Sequence, residues 1–223
     1  MAMHIQSMEL INEEDKKYIK EKFANEMEKD VRILYFTEHY KCRYCAETKE
    51  ILETLTELAD GKIKLEIYEF EKEKELVEKY RINKIPATLI FGEKEYKIRF
   101  FGIPSGYEFS TLLEDVIDAS RGRTNLKENI KEEIRKIDSD VHIQVFVTPT
   151  CPYCPIAVHT AHQMAIENER ITGDMVEVIE FPHLAQKYNV MGVPKIVINE
   201  TREIVGAVPE EVILEEIKAA LGY

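Results

Sequence analysis

The sequence has no tryptophan, no run of lysine and arginine, and no apolar stretch near the ~20 residues that a membrane-spanning helix requires. The last absence speaks against a membrane helix, and the missing basic run speaks against a phosphate-binding surface. Nucleic acid is disfavoured further by 42 acidic against 30 basic residues, a net charge of −12. Binding to phosphates relies on cationic side chains that displace counterions. Neither Gly-x-Gly-x-x-Gly nor Gly-x-x-x-x-Gly-Lys-[Ser/Thr] occurs, so no nucleotide or flavin cofactor is expected. The opening residues MAMHIQSMELINEEDKKYIK lack the apolar core of a secretory leader and turn acidic at Glu13. The expected location is the cytoplasm.

Cysteine is scarce too, and its placement is informative. The four cysteines, Cys42, Cys45, Cys151 and Cys154, form two Cys-x-x-Cys pairs with no single thiol left over. In a reducing compartment such pairs are redox-active or metal-binding rather than scaffold disulfides. The rest of the composition suits folded structure. The 223 residues are 44% hydrophobic and 32% charged, enough for one large domain or two of about 110 residues. The wealth of Glu and Lys resembles a thermophile's composition.

The chain repeats itself. VRILYFTEHYKCRYC, from Val31, matches VHIQVFVTPTCPYC, from Val141, and ELVEKYRINKIPATLIF, from Glu75, matches HLAQKYNVMGVPKIVIN, from His183. Cys42 corresponds to Cys151, Tyr80 to Tyr188 and Pro86 to Pro194. The register holds from the cysteines to the prolines, which points to duplication. Each copy reads strand, helix, strand, helix, strand, strand, helix. The first strands are Val31–Phe36 and Val141–Val147. The second strands are expected at Ile63–Phe70 and Met175–Phe181, and the strands after the prolines at Ala87–Phe91 and Lys195–Asn199. An additional amphipathic helix precedes each copy, one capped by Asn12 and one spanning Leu126 to Ile137 with Thr124 as its expected cap. The polar stretch Ser120-Arg121-Gly122-Arg123-Thr124 divides the chain into units 1–120 and 121–223. It is short, so the units should pack together.

Each cysteine pair falls where a strand gives way to a helix. There, unpaired backbone N–H groups and the helix dipole favour thiolate, the nucleophilic form. Cys42 and Cys151 are therefore the expected nucleophiles, and Cys45 and Cys154 the more buried resolving thiols. Lys41 and Arg43 add positive charge beside Cys42. Pro152 is expected at the first helical position of the second site. Pro86 and Pro194 open strands at matched distances from the cysteines. If Ile85–Pro86 and Val193–Pro194 are cis, their backbone can pair with an extended substrate. Ile85, Pro86, Val193 and Pro194 are thus candidate substrate-binding residues.

A strand, Cys-Pro-Tyr-Cys, a helix, then Val-Pro before a strand resembles glutaredoxin and thioredoxin. Two such units in a chain of this length resemble the protein disulfide oxidoreductases of hyperthermophilic archaea and bacteria, over residues 31–120 and 141–223. The resemblance implies an α/β architecture of two tandem thioredoxin-like folds, each a mixed central sheet flanked by helices. It also implies a cytosolic catalyst that reduces, oxidises and isomerises protein disulfides. Its partners would be proteins bearing disulfides or dithiols and, as no flavin site is evident, a thioredoxin-reductase-like electron donor. One departure stands out. Thioredoxin and eukaryotic disulfide isomerase carry a buried acid in the strand before the active site, and neither Val31–Phe36 nor Val141–Val147 contains one. Glu38 and His39 are substitutes in the first unit only, and surface placement suits both better.

Other readings of the cysteines stay open. The chain can be a dedicated electron relay to one enzyme such as a peroxiredoxin. Two Cys-x-x-Cys pairs can also hold structural zinc, though 105 residues between them far exceed the usual ligand spacing. His159 and His162, one helical turn apart, are candidate metal contacts that more often serve packing. Phe100 and Phe101 line either a substrate groove or the hairpin core, and the charge run Glu69–Glu78 reads as a solvated face.

Overall fold

Val31–Thr37 and Val141–Val147 are rich in β-branched and aromatic residues, and each becomes the buried central strand of its half of the chain. A computed structural model describes residues 10–223. The first half contains α1 (Glu13–Glu26), β1 (Val31–Thr37), α2 (Cys45–Leu58), β2 (Ile63–Glu69), α3 (Lys74–Lys79), β3 (Ala87–Phe91), β4 (Ile98–Phe101) and α4 (Glu108–Arg121). The second half repeats the order with α5 (Glu128–Arg135), β5 (Val141–Val147), α6 (Cys154–Glu167), β6 (Ile171–Glu177), α7 (Pro182–Lys187), β7 (Lys195–Ile198), β8 (Arg202–Val205) and α8 (Glu210–Leu221). The expected lack of a leader falls partly on residues 1–9, which lie outside the described residues. Among the described residues no helix is long and apolar enough to cross a membrane.

All eight strands join one sheet in the order β2-β1-β3-β4-β6-β5-β7-β8. In each half the central strand runs parallel to one neighbour and antiparallel to the other. The halves meet where β4 pairs with β6 in parallel, setting Arg99 opposite Asp174. The architecture is mixed α/β, with two thioredoxin-like sheets fused edge to edge.

Alternation along the strands sorts side chains to two faces. Ile33, Tyr35, Ile143 and Val145 join the large core under α1, α2, α4, α5, α6 and α8. Leu34, Phe36, Phe101 and Phe146 point the other way, into a smaller core covered by α3 and α7. Phe100 and Phe101 are both fully buried, one in each core, so they do not line a groove.

The cap at Asn12 is as the sequence suggests, and several other boundaries differ from it. The Asn12 side chain caps α1 by accepting from the Asp15 N–H at 2.9 Å. Thr124 caps nothing. Its hydroxyl donates to Glu167 at 2.6 Å, and Lys127 occupies the cap position of α5. The strand β6 starts at Ile171 rather than Met175, because Ile171 pairs with Val141 and the whole of β5 needs a partner. The polar stretch between the units is partly structural. Ser120 and Arg121 end α4, Gly122 terminates it in the left-handed region, and the Ser120 hydroxyl accepts from the Glu28 N–H at 3.2 Å.

Candidate active site

The strands β1 and β5 end at the same edge of the sheet, and each leads through a short loop into a cysteine pair. The pairs are Cys42–Cys45 and Cys151–Cys154, disulfide-bonded within themselves, with Cα atoms 5.5 Å apart in both. The helices begin at the second cysteines, so Cys42 and Cys151 stand just ahead of α2 and α6. Pro152 consequently lies in the turn before α6 rather than at its first position. The proline within the first helical turn is Pro155, where a missing N–H costs no helix bond.

The helix start is built around sulfur. The Cys154 N–H donates to Cys151 Sγ at 3.1 Å, an orphan donor of α6 satisfied by the candidate nucleophile. At the first site the buried Tyr35 hydroxyl donates to the Cys45 carbonyl at 2.7 Å and fixes the start of α2 from below. Burial pushes the Tyr35 phenol up to about 12, so it remains a donor at neutral pH. Cys151 is 7% exposed and Cys154 0%, while Cys42 is half-buried and Cys45 nearly covered. Brief iodoacetamide treatment of the reduced protein at neutral pH should label Cys42 and Cys151 at least about tenfold faster than their partners. Mass mapping that finds all four labelled equally contradicts this ordering.

The proline loops lie beside the cysteines through strand register. Phe36 pairs with Ala87 and Phe146 with Lys195, which sets Pro86 across from the exit of β1 and Pro194 across from the exit of β5. Both peptide bonds, Ile85–Pro86 and Val193–Pro194, are cis.

Buried acids are present, and they come from segments outside the strands that precede the cysteines. Glu108, the first residue of α4, is 1% exposed. Tyr107 donates its N–H to the Pro149 carbonyl at 3.0 Å, which brings the start of α4 against the loop entering Cys151. Thr111 donates to one Glu108 oxygen at 3.0 Å, and the other, Oε1, has no hydrogen-bond partner. Burial pushes the Glu108 carboxyl up to about 8.

Beyond β6, Glu180 Oε1 accepts from the Ile103 N–H at 2.6 Å, next to Gly102, whose own N–H donates to the Pro86 carbonyl at 2.9 Å. Burial raises Glu180 to about 7, with like charge from Glu177 and Glu47 adding and the Ile103 N–H and Arg43 opposing. Arg43 and Glu47 flank the first cysteine pair, so Glu180 belongs to that site. A Cβ at Gly102 would meet Glu180 Oε1 at 2.7 Å, so the glycine makes room for the carboxyl. Neither Glu38 nor His39 is buried, and His39 faces Glu69 at 3.4 Å on the surface.

His159 and His162 are helix–helix contacts. His162 Nδ1 meets Asp115 Oδ2 at 2.5 Å and His159 Nε2 meets Asp118 Oδ2 at 3.0 Å, tying α6 to α4. Burial opposes the charged form of His159, and the Asp118 and Asp115 carboxylates outweigh it, raising its pKa. Among the described residues no group of three or more His, Cys, Asp or Glu is arranged to hold a metal ion.

A thioredoxin domain model matches residues 141–219. A protein disulfide oxidoreductase from Aeropyrum pernix superposes with a TM-score of 0.88 at 30% identity, over 95% of this chain and 94% of that one. This chain belongs to the protein disulfide oxidoreductases. With that family it is an oxidoreductase of the thiol–disulfide class, built from two tandem thioredoxin-like folds. The chain also resembles the alkylhydroperoxide reductase AhpF of Enterococcus faecalis, with a TM-score of 0.86 and 27% identity over 93% of this chain and 99% of that one. A curated relative, the corresponding alkyl hydroperoxide reductase component of Staphylococcus aureus, is 29% identical over 153 residues, 69% of this chain. The chain spans only 28% of that relative's length.

Proposed function

We propose that the chain exchanges electrons with protein disulfides at two dithiols, Cys42–Cys45 in unit 1–120 and Cys151–Cys154 in unit 121–223. One observation carries this reading. Both pairs sit at the same end of a shared sheet, each opposite a cis-proline loop. In reduction, the Cys151 thiolate attacks one sulfur of a client disulfide. The client S–S bond breaks, a Cys151–client bond forms, and the second client sulfur leaves as thiolate. Glu108 in its ionised form takes the proton of Cys154, and the resulting thiolate attacks Cys151 Sγ, breaks the Cys151–client bond and releases the client's first sulfur as thiolate. The client gains two electrons and the enzyme is left with the Cys151–Cys154 disulfide. Cys42, Cys45 and Glu180 repeat the sequence at the first site. Ile85–Pro86 and Val193–Pro194 hold the client strand. The cellular setting is the cytoplasm, and a thioredoxin-reductase-like enzyme restores the dithiols.

Likeness to the alkylhydroperoxide reductases favours a second reading, a relay that passes electrons to a peroxiredoxin. Isomerisation of a scrambled disulfide protein supports the general catalyst. Peroxide reduction that needs both a peroxiredoxin and this chain supports the relay.

The acids give the proton-transfer step its own test. A carboxyl whose folded pKa lies near 8 favours folding fully below its unfolded pKa of about 4.3, and that contribution is lost as pH rises through 8. Glu108→Gln should therefore flatten the fall in stability between about pH 4 and 8 by a few kcal/mol in denaturant melts. It should also slow resolution of the Cys151 mixed disulfide at pH 7 on the order of 10²-fold. An unchanged resolution rate removes Glu108 from the mechanism.

A further inference from the structure

The repeat allows the rims of the two dithiols to be compared position by position. One residue before each second cysteine stand Tyr44 and Tyr153. Two residues after it stand Glu47 and Ile156, and three residues before the cis proline stand Asn83 and Met191. At the second site these side chains are large, apolar and in water. Tyr153 is 65% exposed, Ile156 55% and Met191 88%. Tyr107 adds a fourth, held at the loop before Cys151 by its N–H to the Pro149 carbonyl. Among the described residues eleven large hydrophobic side chains are exposed, and these four gather at one dithiol.

At the first site each matched position differs in residue or in exposure. Tyr44 is half-buried with Arg43 over its ring at 5.0 Å, and Glu47 and Asn83 replace Ile156 and Met191. Its exposed Tyr40 stands beside the cations Lys41 and Arg43. Ile179 lies on the turn after β6, between the two dithiols. The segment Thr148–Val158 carries no charged side chain, in a protein whose net charge is −12. An apolar rim kept in water in so charged a chain marks a contact surface.

Resting on the exchange reading above, we propose that the two dithiols divide the substrates. Cys151–Cys154 takes disulfides flanked by large apolar side chains, as non-native proteins expose them. Cys42–Cys45 lacks that selectivity. The apolar flanks seat on Tyr153, Ile156 and Met191 while the disulfide meets Cys151. The bonds exchanged are those already described, and specificity arises from side chains that never meet the reacting sulfurs.

The test uses two full-length proteins, Cys42→Ser with Cys45→Ser and Cys151→Ser with Cys154→Ser, each keeping one dithiol. Each is assayed with dithiothreitol as reductant on two disulfide peptides, one flanked by Leu and Phe and one by Ser and Gln. Through Cys151–Cys154 the apolar peptide should be favoured in kcat/KM by about tenfold or more, the discrimination a few buried methylenes supply. Through Cys42–Cys45 the ratio should lie near one. Ile156→Glu with Met191→Asn, which gives the second site the first site's residues, should bring its ratio toward one. Glu47→Ile with Asn83→Met should raise the ratio of the first site. Equal ratios at the two dithiols, or ratios that ignore both exchanges, overturn the division of substrates. If neither protein reduces either peptide, the exchange reading itself falls, and the division with it.

Discussion

Cys154→Ser should leave Cys151 able to attack a client disulfide and unable to release it. The first displacement needs only the outer sulfur, whose position ahead of α6 and hydrogen bond from the residue 154 N–H do not depend on the second thiol. The second displacement needs a neighbouring thiolate, which a serine hydroxyl at neutral pH does not supply. Mixed disulfides should accumulate through Cys151, and Cys45→Ser should trap clients through Cys42 in the same way. Turnover at the altered dithiol should vanish, and Cys42→Ser with Cys151→Ser should abolish it for the whole protein. Non-reducing gels of extracts, with and without dithiothreitol, provide the measurement. No dithiothreitol-sensitive adducts from Cys154→Ser, while the wild-type protein turns over, would mean that exchange does not proceed through a mixed disulfide on Cys151. Many adducts fit a general catalyst, and one dominant adduct favours the relay.

The repeat made much of this architecture legible. Apolar strands with period two, cysteine pairs at strand-to-helix junctions and prolines in matched register are local patterns, and local patterns survive in a sequence. The acids were hidden for a physical reason. Glu108 opens an amphipathic helix, where an acid is ordinarily a solvated partner of the helix dipole. Thr111, Asp115 and Asp118 continue a polar stripe along α4 that reads as a water-facing surface. That stripe is buried because a second stripe, His159, His162 and Gln163 on α6, lies against it. Two polar stripes on helices nearly 50 residues apart give no sign of each other until the sheets are joined.

The joint itself leaves a trace that the repeat makes readable. Arg99 on β4 corresponds by strand register to Glu203 on β8, and Asp174 on β6 corresponds to Glu66 on β2. Complementary charge thus occurs at these positions only where β4 meets β6, and two acids mark the outer edges. Acids on both outer edges discourage a second copy from docking there as β6 docks on β4. Among the substitutions that distinguish the copies, those at Arg99, Asp174, Asp115 and His162 fall where one unit touches the other.

Asp174→Asn should therefore be among the most destabilising single changes outside the apolar core, although it alters one atom of the side chain. Asp174 is fully buried and accepts from Arg99 Nε at 2.6 Å and Nη2 at 2.8 Å, with His142 Nε2 at 2.7 Å on the same carboxylate. Arg99 also donates to the Tyr80 carbonyl at 3.0 Å, so the guanidinium is anchored on both sides and cannot turn freely to water. Burial alone would raise the Asp174 carboxyl. Arg99 and His142 overcome it and hold the group well below the usual carboxylate range. Neutralising it strands a nearly buried guanidinium, a change that costs about 3–5 kcal/mol in other proteins. Urea denaturation at pH 7 should show that loss, and the deficit should shrink as pH falls below about 4, where the wild-type carboxylate begins to lose its own advantage. Arg99→Met with Asp174→Leu removes both charges and should recover most of the stability, because an apolar pair needs no counterion. A loss under about 1 kcal/mol for Asp174→Asn would place the cohesion of the joint in its apolar contacts, Phe100 and Met175 in register across β4 and β6, with the ion pair reduced to setting that register.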